Sequence, residues 1–411
     1  MARSRWSRRR RSSYAARVTT VRLYHADSFA RAFTARVLAH STWRDRPAVV
    51  LDQTGFYPEA GGQGADHGVL GGVPIIDVQH DDAGAIHHVV EAGHERPAIG
   101  AEVAGAIDWP RRRVHMALHT GQHVLSAALV KEANAATQSA RLGENACTID
   151  VARDPIPEAE LARAEDLANA VIDDDLAIRA WFPEAGELAT LPLRREPKVD
   201  DNVRVLAIGD FDYSPCGGTH CARTGQIGSI RILGTERYKG LTRITFVAGA
   251  RARAELAARD RIVRGLASAF TCGPAELPPA VDKLRRDLQA TREALRDQTR
   301  QLAALVAASL ASGTDGAVIA TVDGDAELAR AVASRLVELG RDALLAAPGA
   351  EGTAVVMMRA AGSALDCGGL LGAIAKASGG RGGGRPDRAE GRVPAGIDWP
   401  AAVAAAIAAR A

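Results

Sequence analysis

Apolar and polar residues alternate in short runs over the first hundred positions of the chain. VTTVRLY, TARVLAH, AVVLDQT, HGVLGGVPIIDVQH and AIHHVVE are β-branched stretches separated by Gly, Pro, Asp and His, and IGAEVAGAIDW reads as one more strand. Short strands closely spaced in this way predict a small barrel or sandwich. The period then changes. Val114, Leu118, Val124, Leu125 and Leu129 fall on or near one helical stripe with no internal proline, which predicts a helix over 110–134. CTIDVAR reads as a strand, IPEAELARAEDLANAVIDDD as an amphipathic helix, and AIRAWFP and VRVLAIG as strands leading to CGGTH at 216–220. IGSIRILG and RITFVAG follow as a strand pair. This middle block is an α+β pattern.

From 251 the chain turns helical and charged. Val281, Leu288, Leu295 and Leu302 form one heptad row, and Leu284, Thr291, Gln298 and Leu305 the other. Two polar residues in the second row weaken the seam, so the segment reads as a helical hairpin or arm turning at CGPAELPP rather than as a long coiled coil. GAVIATVD, DALLAAPG and TAVVMMRA then alternate with ELARAVASRLVELG, a βα pattern ending in ASGGRGGGRPDRAEGR and an Ala-rich helix. The expected organisation is a basic disordered leader over 1–17, a barrel-like domain over 18–109, an α+β domain over 110–250, the arm over 251–310 and an α/β domain over 311–411.

Composition narrows the class. With 47% hydrophobic and 24% charged residues, the chain is that of a soluble globular protein, and no apolar run is long enough to span a membrane. Five cysteines among 411 residues are too few and too scattered for a disulfide framework, which favours a reducing cytoplasm. The net charge of +2 conceals an asymmetry: MARSRWSRRRRSSYAAR is rich in arginine and free of acid, so the remainder is mildly acidic. The leader reads as an unstructured extension, a transit peptide or a nucleic-acid-binding arm. Any nucleic-acid partner of the folded body must be held by local basic patches.

Two pairs of residues carry the candidate chemistry. His119 and His123, in HTGQH, lie four apart on the predicted helix and can reach one ion from one face. Alone, such a pair is as well read as one buried and one solvated histidine. Cys216 and His220, in CGGTH, are also four apart, with glycines that let the chain turn tightly. Together they make one thiolate and three imidazoles, a good donor set for zinc, with Cys221 a possible competitor. A third stretch, DQTGFYPEAGGQGADHG, pairs two glycines with Gln63, whose amide can both donate and accept. His67, His87 and His88 read as surface or turn residues.

HTGQHVLSAAL, CGGTHCARTGQIGSIRI and TGFYPEAGGQGADHG together resemble the editing domain of alanyl-tRNA synthetase and its free-standing relatives, the alanyl-tRNA editing proteins of the long form. The resemblance runs from about Val18 to Gly249, and GGRGGGRPDRAEG resembles the end of the glycine-rich C-terminal domain of the same proteins. It implies a glycine-rich β-barrel before a zinc-binding editing core, with His119, His123, Cys216 and His220 as the Zn2+ ligands. It also implies hydrolysis of mischarged alanine tRNA, Ser-tRNA(Ala) and Gly-tRNA(Ala), without ATP. The short stretch before Val18 leaves no room for an aminoacylation domain, so removal of the amino acid rather than its attachment is expected. Gln138 best matches the family's substrate-side glutamine; Gln138, Ser139 and Gln63 are the expected catalytic residues. Gly64 replaces the family's usual proline after Gln63, which predicts a more mobile loop. Arg111, Arg112 and Arg113 are candidates for acceptor-stem phosphates or a solvated basic turn, and Arg381 and Arg385 for the RNA backbone or a plain loop. The expected partner is the acceptor end of tRNA(Ala), with the protein a monomer or homodimer. The competing readings are editing of Ser-tRNA(Thr) and a tRNA-binding module with structural zinc. A lone Asp66-His67-Gly68 does not supply the motifs of a DHH phosphoesterase.

Overall fold

A computed structural model describes residues 20–143, 147–197, 199, 201–313 and 316–410; the basic leader over 1–17 lies outside these. The fold is mixed α+β, as the pattern predicts, and divides between Val263 and Arg264 into two compact units.

In the first unit, six antiparallel strands close a barrel in the order Ala32–Trp43, Arg46–Leu51, Ile86–Val90, Val73–His80, Gly68–Leu70 and Glu102–Ile107. The last strand pairs back onto Ala32–Arg36. Alternation along these strands sends Val37, Val49, Leu51, Leu70, Ile75, Val78 and Ile86 into one interior cluster around Phe56. His88 is among the buried residues, contrary to the reading of it as a surface histidine. Its ring meets the Thr54 hydroxyl at 2.8 Å and the Val49 carbonyl at 3.2 Å. Burial pushes its pKa down to about 4, so the ring is neutral inside the barrel.

The barrel hands the chain directly to the helix Trp109–Ala133. Asp108 caps it, accepting from the Arg111 amide at 3.1 Å, Pro110 sits in the first turn, and Asn134 ends it in the left-handed region. The helix packs in a core with the helix Glu158–Asp173 and a four-stranded antiparallel sheet. The sheet order is Ile230–Tyr238, Leu241–Ala248, Cys147–Val151, Thr137–Leu142. A second, three-stranded sheet orders Ile178–Trp181, Val205–Ile208 and Asp212–Pro215, and its last strand delivers Cys216.

Helices Ala250–Ala269 and Leu277–Ala311 cover the expected arm. The second unit has a five-stranded sheet ordered Val318–Thr321, Ala343–Ala347, Thr353–Met358, Arg388–Val393, Arg381–Arg385. Leu345 and Ala347 face the helix Ala326–Glu338, whereas Leu344 and Ala346 face Cys367–Ser378 and Trp399–Ala408. The glycine-rich tail is thus not a loop: Arg381–Arg385 is an exposed edge strand, antiparallel to Arg388–Val393. A side chain at Gly384 would place its Cβ 2.2 Å from the Arg388 carbonyl oxygen, so the glycine allows the two strands to meet. Among the described residues, no helix is long and apolar enough to cross a membrane.

Candidate metal centre

The two i,i+4 pairs meet. One ligand atom from each of His119, His123, Cys216 and His220 lies within 4.8 Å of all the others, and the cluster is buried. The Cys216 Sγ stands 3.4 Å from His119 Nε2 and 3.2 Å from His220 Nε2. A tetrahedral zinc, with Zn–S near 2.3 Å and Zn–N near 2.0 Å, separates such atoms by about 3.5 Å. His123 Nε2 is buried without a hydrogen-bond partner, as the nitrogen of a metal ligand would be. The residues therefore fit a metal ion.

Each ring presents its other nitrogen to an outer partner. His119 Nδ1 donates to the Gln63 side-chain oxygen at 2.7 Å, which fixes its tautomer and leaves Nε2 bare toward Cys216. The Gln63 amide nitrogen donates to Thr219 Oγ1 at 2.8 Å, and its oxygen also accepts from the Thr219 amide at 3.2 Å. His220 Nδ1 lies 3.4 Å from Thr120 Oγ1, and His123 Nδ1 faces the buried Asp212 carboxylate at 3.8 Å. Asp212 is in turn held by Arg194 at 2.7 Å and by the Ser214 hydroxyl at 2.8 Å. Burial alone would raise the carboxyl pKa, but His123 and Arg194 bring it down to about 2.

The electrostatics favour the ligating forms of Cys216 and His220. At His123 burial lowers the pKa, but the facing Cys216 and Asp212 outweigh it and raise it. Burial pushes the Cys216 thiol up, yet the three histidines outweigh it and hold the pKa well below the usual value, favouring a thiolate. Burial drives His220 down to about 3, leaving a neutral imidazole. The loop itself is clamped by Arg204, whose Nη1 donates to the Gly218 carbonyl at 2.7 Å and to that of Cys216 at 3.3 Å. At Gly218 an added Cβ would lie 2.2 Å from His119 Cε1, so the ring needs the glycine. Cys221 is buried with its thiol raised to about 11, first by burial, and is not part of the cluster.

A cavity of about 520 Å³ opens above His119 and His123. Gln138 and Ser139 line it and are exposed, as do Gln122, Arg194 and Arg195, which sequence reasoning did not single out. The Ser139 hydroxyl donates to Asp150 at 2.7 Å, which Arg243 also holds at 2.7 Å. Gln63 sits behind His119, fully buried. The candidate RNA contacts separate: Arg113 is exposed, Arg111 is half-buried with Nε on the Ala65 carbonyl at 3.0 Å, and Arg112 is fully buried. Arg112 is therefore corrected from a phosphate ligand to a structural residue. Its Nε donates to Asp66 at 2.9 Å, its Nη1 to the Ser28 carbonyl at 3.0 Å, and its Nη2 to the Gly55 carbonyl at 2.6 Å. Gly64 lies against the buried His115 ring, where a Cβ would come within 3.1 Å. Arg381 and Arg385 are exposed on the edge strand, with Arg385 3.3 Å from Asp387.

Two stretches match described families. Residues 20–111 match the class II (A) tRNA synthetases, and residues 203–245, which carry Cys216 and His220, match the threonyl and alanyl tRNA synthetase second additional domain. The matched stretches carry the barrel and the Cys216–His220 half of the cluster, and His119 and His123 lie between them. The chain is 35% identical to an alanine–tRNA ligase of Thermococcus kodakarensis, over 90% of this chain and 41% of the ligase, and 33% identical to one of Halobacterium salinarum, over 87% and 40%. It spans about two fifths of the length of these ligases. It is also 32% identical to the alanyl-tRNA editing protein AlaX-L of Pyrococcus horikoshii, over 68% of this chain and 70% of that protein. The chain belongs to this alanyl-tRNA editing family.

Proposed function

We propose that the chain is a trans-acting aminoacyl-tRNA deacylase. It hydrolyses the ester joining serine, and also glycine, to alanine tRNA, without ATP, and its partner is the acceptor end of that tRNA. The observation that carries this reading is the convergence of three imidazole nitrogens on Cys216 beneath a polar cavity of about 520 Å³, in a chain of this family. The need for such a site is physical. A pocket sized for alanine cannot exclude glycine and rejects an added hydroxyl only weakly, so a second, hydrolytic site must correct the errors.

His119, His123, Cys216 and His220 would hold Zn2+, which when bound supplies a fixed positive charge beside the terminal ribose and the substrate amine. Gln63 holds the His119 ring in place, and Asp212 sets a carboxylate 3.8 Å from His123 Nδ1. Gln138 and Ser139, on the cavity wall, bind the serine hydroxyl and orient the attacking water. Serine is told from alanine by that hydroxyl; glycine, which lacks it too, is told from alanine only by its missing methyl. Because an ester is already activated, orientation and charge stabilisation suffice for a useful rate. Arg111, Arg113, Arg381 and Arg385 supply cations for the tRNA backbone.

The test uses protein of measured zinc content with Ser-, Gly- and Ala-tRNA(Ala) and with Ser-tRNA(Thr), following free amino acid. Release of serine and glycine from tRNA(Ala) is expected, with alanine retained. Joint replacement Gln138→Ala and Ser139→Ala should abolish release of serine while zinc stays bound, and undiminished release would remove these two residues from the substrate side. Preference for Ser-tRNA(Thr) would move the assignment to threonine editing. No hydrolysis at all would favour a tRNA-binding module with structural zinc.

A further inference from the structure

A second cavity, of about 650 Å³, is lined by the Cys216–Gly217 segment together with Phe182 and Arg204. The two cavities share that segment, and Arg22 and Arg195 line both. The partition between them is fixed. Arg204 holds the carbonyls of Cys216 and Gly218, and the His25 ring meets the Gly217 carbonyl at 3.1 Å. On the second cavity's wall stands Phe182, an aromatic ring left 49% exposed. The His25 ring backs it at 5.5 Å between centroids, tilted by 60°. Glu196 and Asp201 also line the cavity, so it is not a uniformly cationic bowl for a free anion.

We propose that this second cavity seats a nucleobase of the single-stranded acceptor end, the one preceding the nucleotide that carries the amino acid. The proposal rests on the deacylase reading for its polynucleotide and on the cavity's own geometry for its place. An exposed aromatic ring backed by a second ring is the sequence-tolerant platform on which an unpaired base stacks. Cations that line both chambers suit a backbone passing from one to the other. A terminal ribose at the metal cluster sends its preceding nucleotide across Gly217 and onto Phe182.

The experiment uses the full chain, its metal content measured, with two probes: adenosine and the unacylated trinucleotide CCA. The unsubstituted protein should bind CCA at least tenfold more tightly than adenosine. Phe182→Ala should weaken CCA binding about tenfold, leave adenosine binding as it was and leave the metal content unchanged, and Phe182→Trp should restore CCA binding. Because Phe182 is half exposed, its removal does not empty a core. If seryl-tRNA(Ala) is hydrolysed, the Phe182→Ala loss should fall on KM rather than kcat. Equal CCA affinity in the two proteins, an equal loss for adenosine, or no gain of CCA over adenosine would each overturn the proposal. Because binding is read with unacylated probes, an enzyme that hydrolyses nothing would sink the deacylase reading while leaving this result to stand or fall alone.

Discussion

Gln63 shows how one side chain can govern a ligand it only touches from behind. Its oxygen accepts the hydrogen bond from His119 Nδ1 at 2.7 Å, and its nitrogen is anchored on Thr219, one residue before His220. Removing it frees the His119 ring to rotate and leaves Nδ1–H buried without an acceptor. Gln63→Ala should therefore weaken zinc binding by about 10–100-fold in competition with a chromophoric chelator. Gln63→Glu, which keeps an acceptor, should retain most of the affinity; equal losses in the two variants would show that packing, not the hydrogen bond, matters. At this scale the sequence is informative about residue type and spacing but not about direction. The i,i+4 spacing gives both ligand pairs, because helix and tight-loop geometry are local. Gln63 stood out as an amide in a glycine-rich loop, but its burial behind His119 depends on a contact 56 residues away in sequence. Nothing in DYSPCGG marks Asp212 as the carboxylate that faces His123, since a strand carboxylate four residues before a cysteine has no local signature.

The helix Trp109–Ala133 is the element on which the site is built, and it is more buried than its sequence period implies. Every residue from His115 to Leu129 is buried, so the stripe of Val124, Leu125 and Leu129 is only part of a helix enclosed on all sides. Ala, Gly, Thr and Ser fill the remaining faces, where small size rather than hydrophobicity meets the neighbours, and a periodicity argument cannot register that. The start of the helix is tied to the barrel loop by the ion pair of Arg112 with Asp66, both fully buried. Asp66 also accepts from the Tyr57 amide at 2.6 Å, and Arg112 spends its other donors on the carbonyls of Ser28 and Gly55. A run of three arginines invites an RNA-binding interpretation, whereas the middle one faces inward because each helix position turns the side chain by about 100°. Arg112→Ala leaves a buried carboxylate without its counter-charge and takes a donor from two carbonyls, and should cost about 3–5 kcal/mol of stability in urea unfolding. Arg113→Ala, at an exposed position, should stay within about 0.5 kcal/mol of the parent. A small loss for Arg112→Ala would mean that the pair contributes little to holding helix and barrel together.

At the scale of the whole chain, chemistry and mass are unevenly shared. The four candidate ligands, Gln63 and Asp212 all precede Val263, and so do the two clusters that form the interior of the barrel and of the α+β block. The second unit has its own two cores, one on each face of its sheet, with Ala303 and Ala307 of the 35-residue helix packed into one of them. The alternation of strands and helices beyond residue 311 made this sheet legible, whereas its glycine-rich edge strand was not, because a run of glycines carries no side-chain period. The heptad rows along the long helix were legible as a pattern but not as a contact: Val281, Leu288, Leu295 and Leu302 are all exposed on the chain. Separate cores imply that each unit gains its burial energy from its own residues. A shortened chain ending at Thr271, just after the helix Ala250–Ala269, should then bind one zinc per chain with affinity within about threefold of the full-length protein, the spread expected when distant parts act independently. If the shortened chain lost the metal while keeping its far-ultraviolet dichroism, the second unit would have to act on the cluster directly, and the independence drawn from the cores would be wrong.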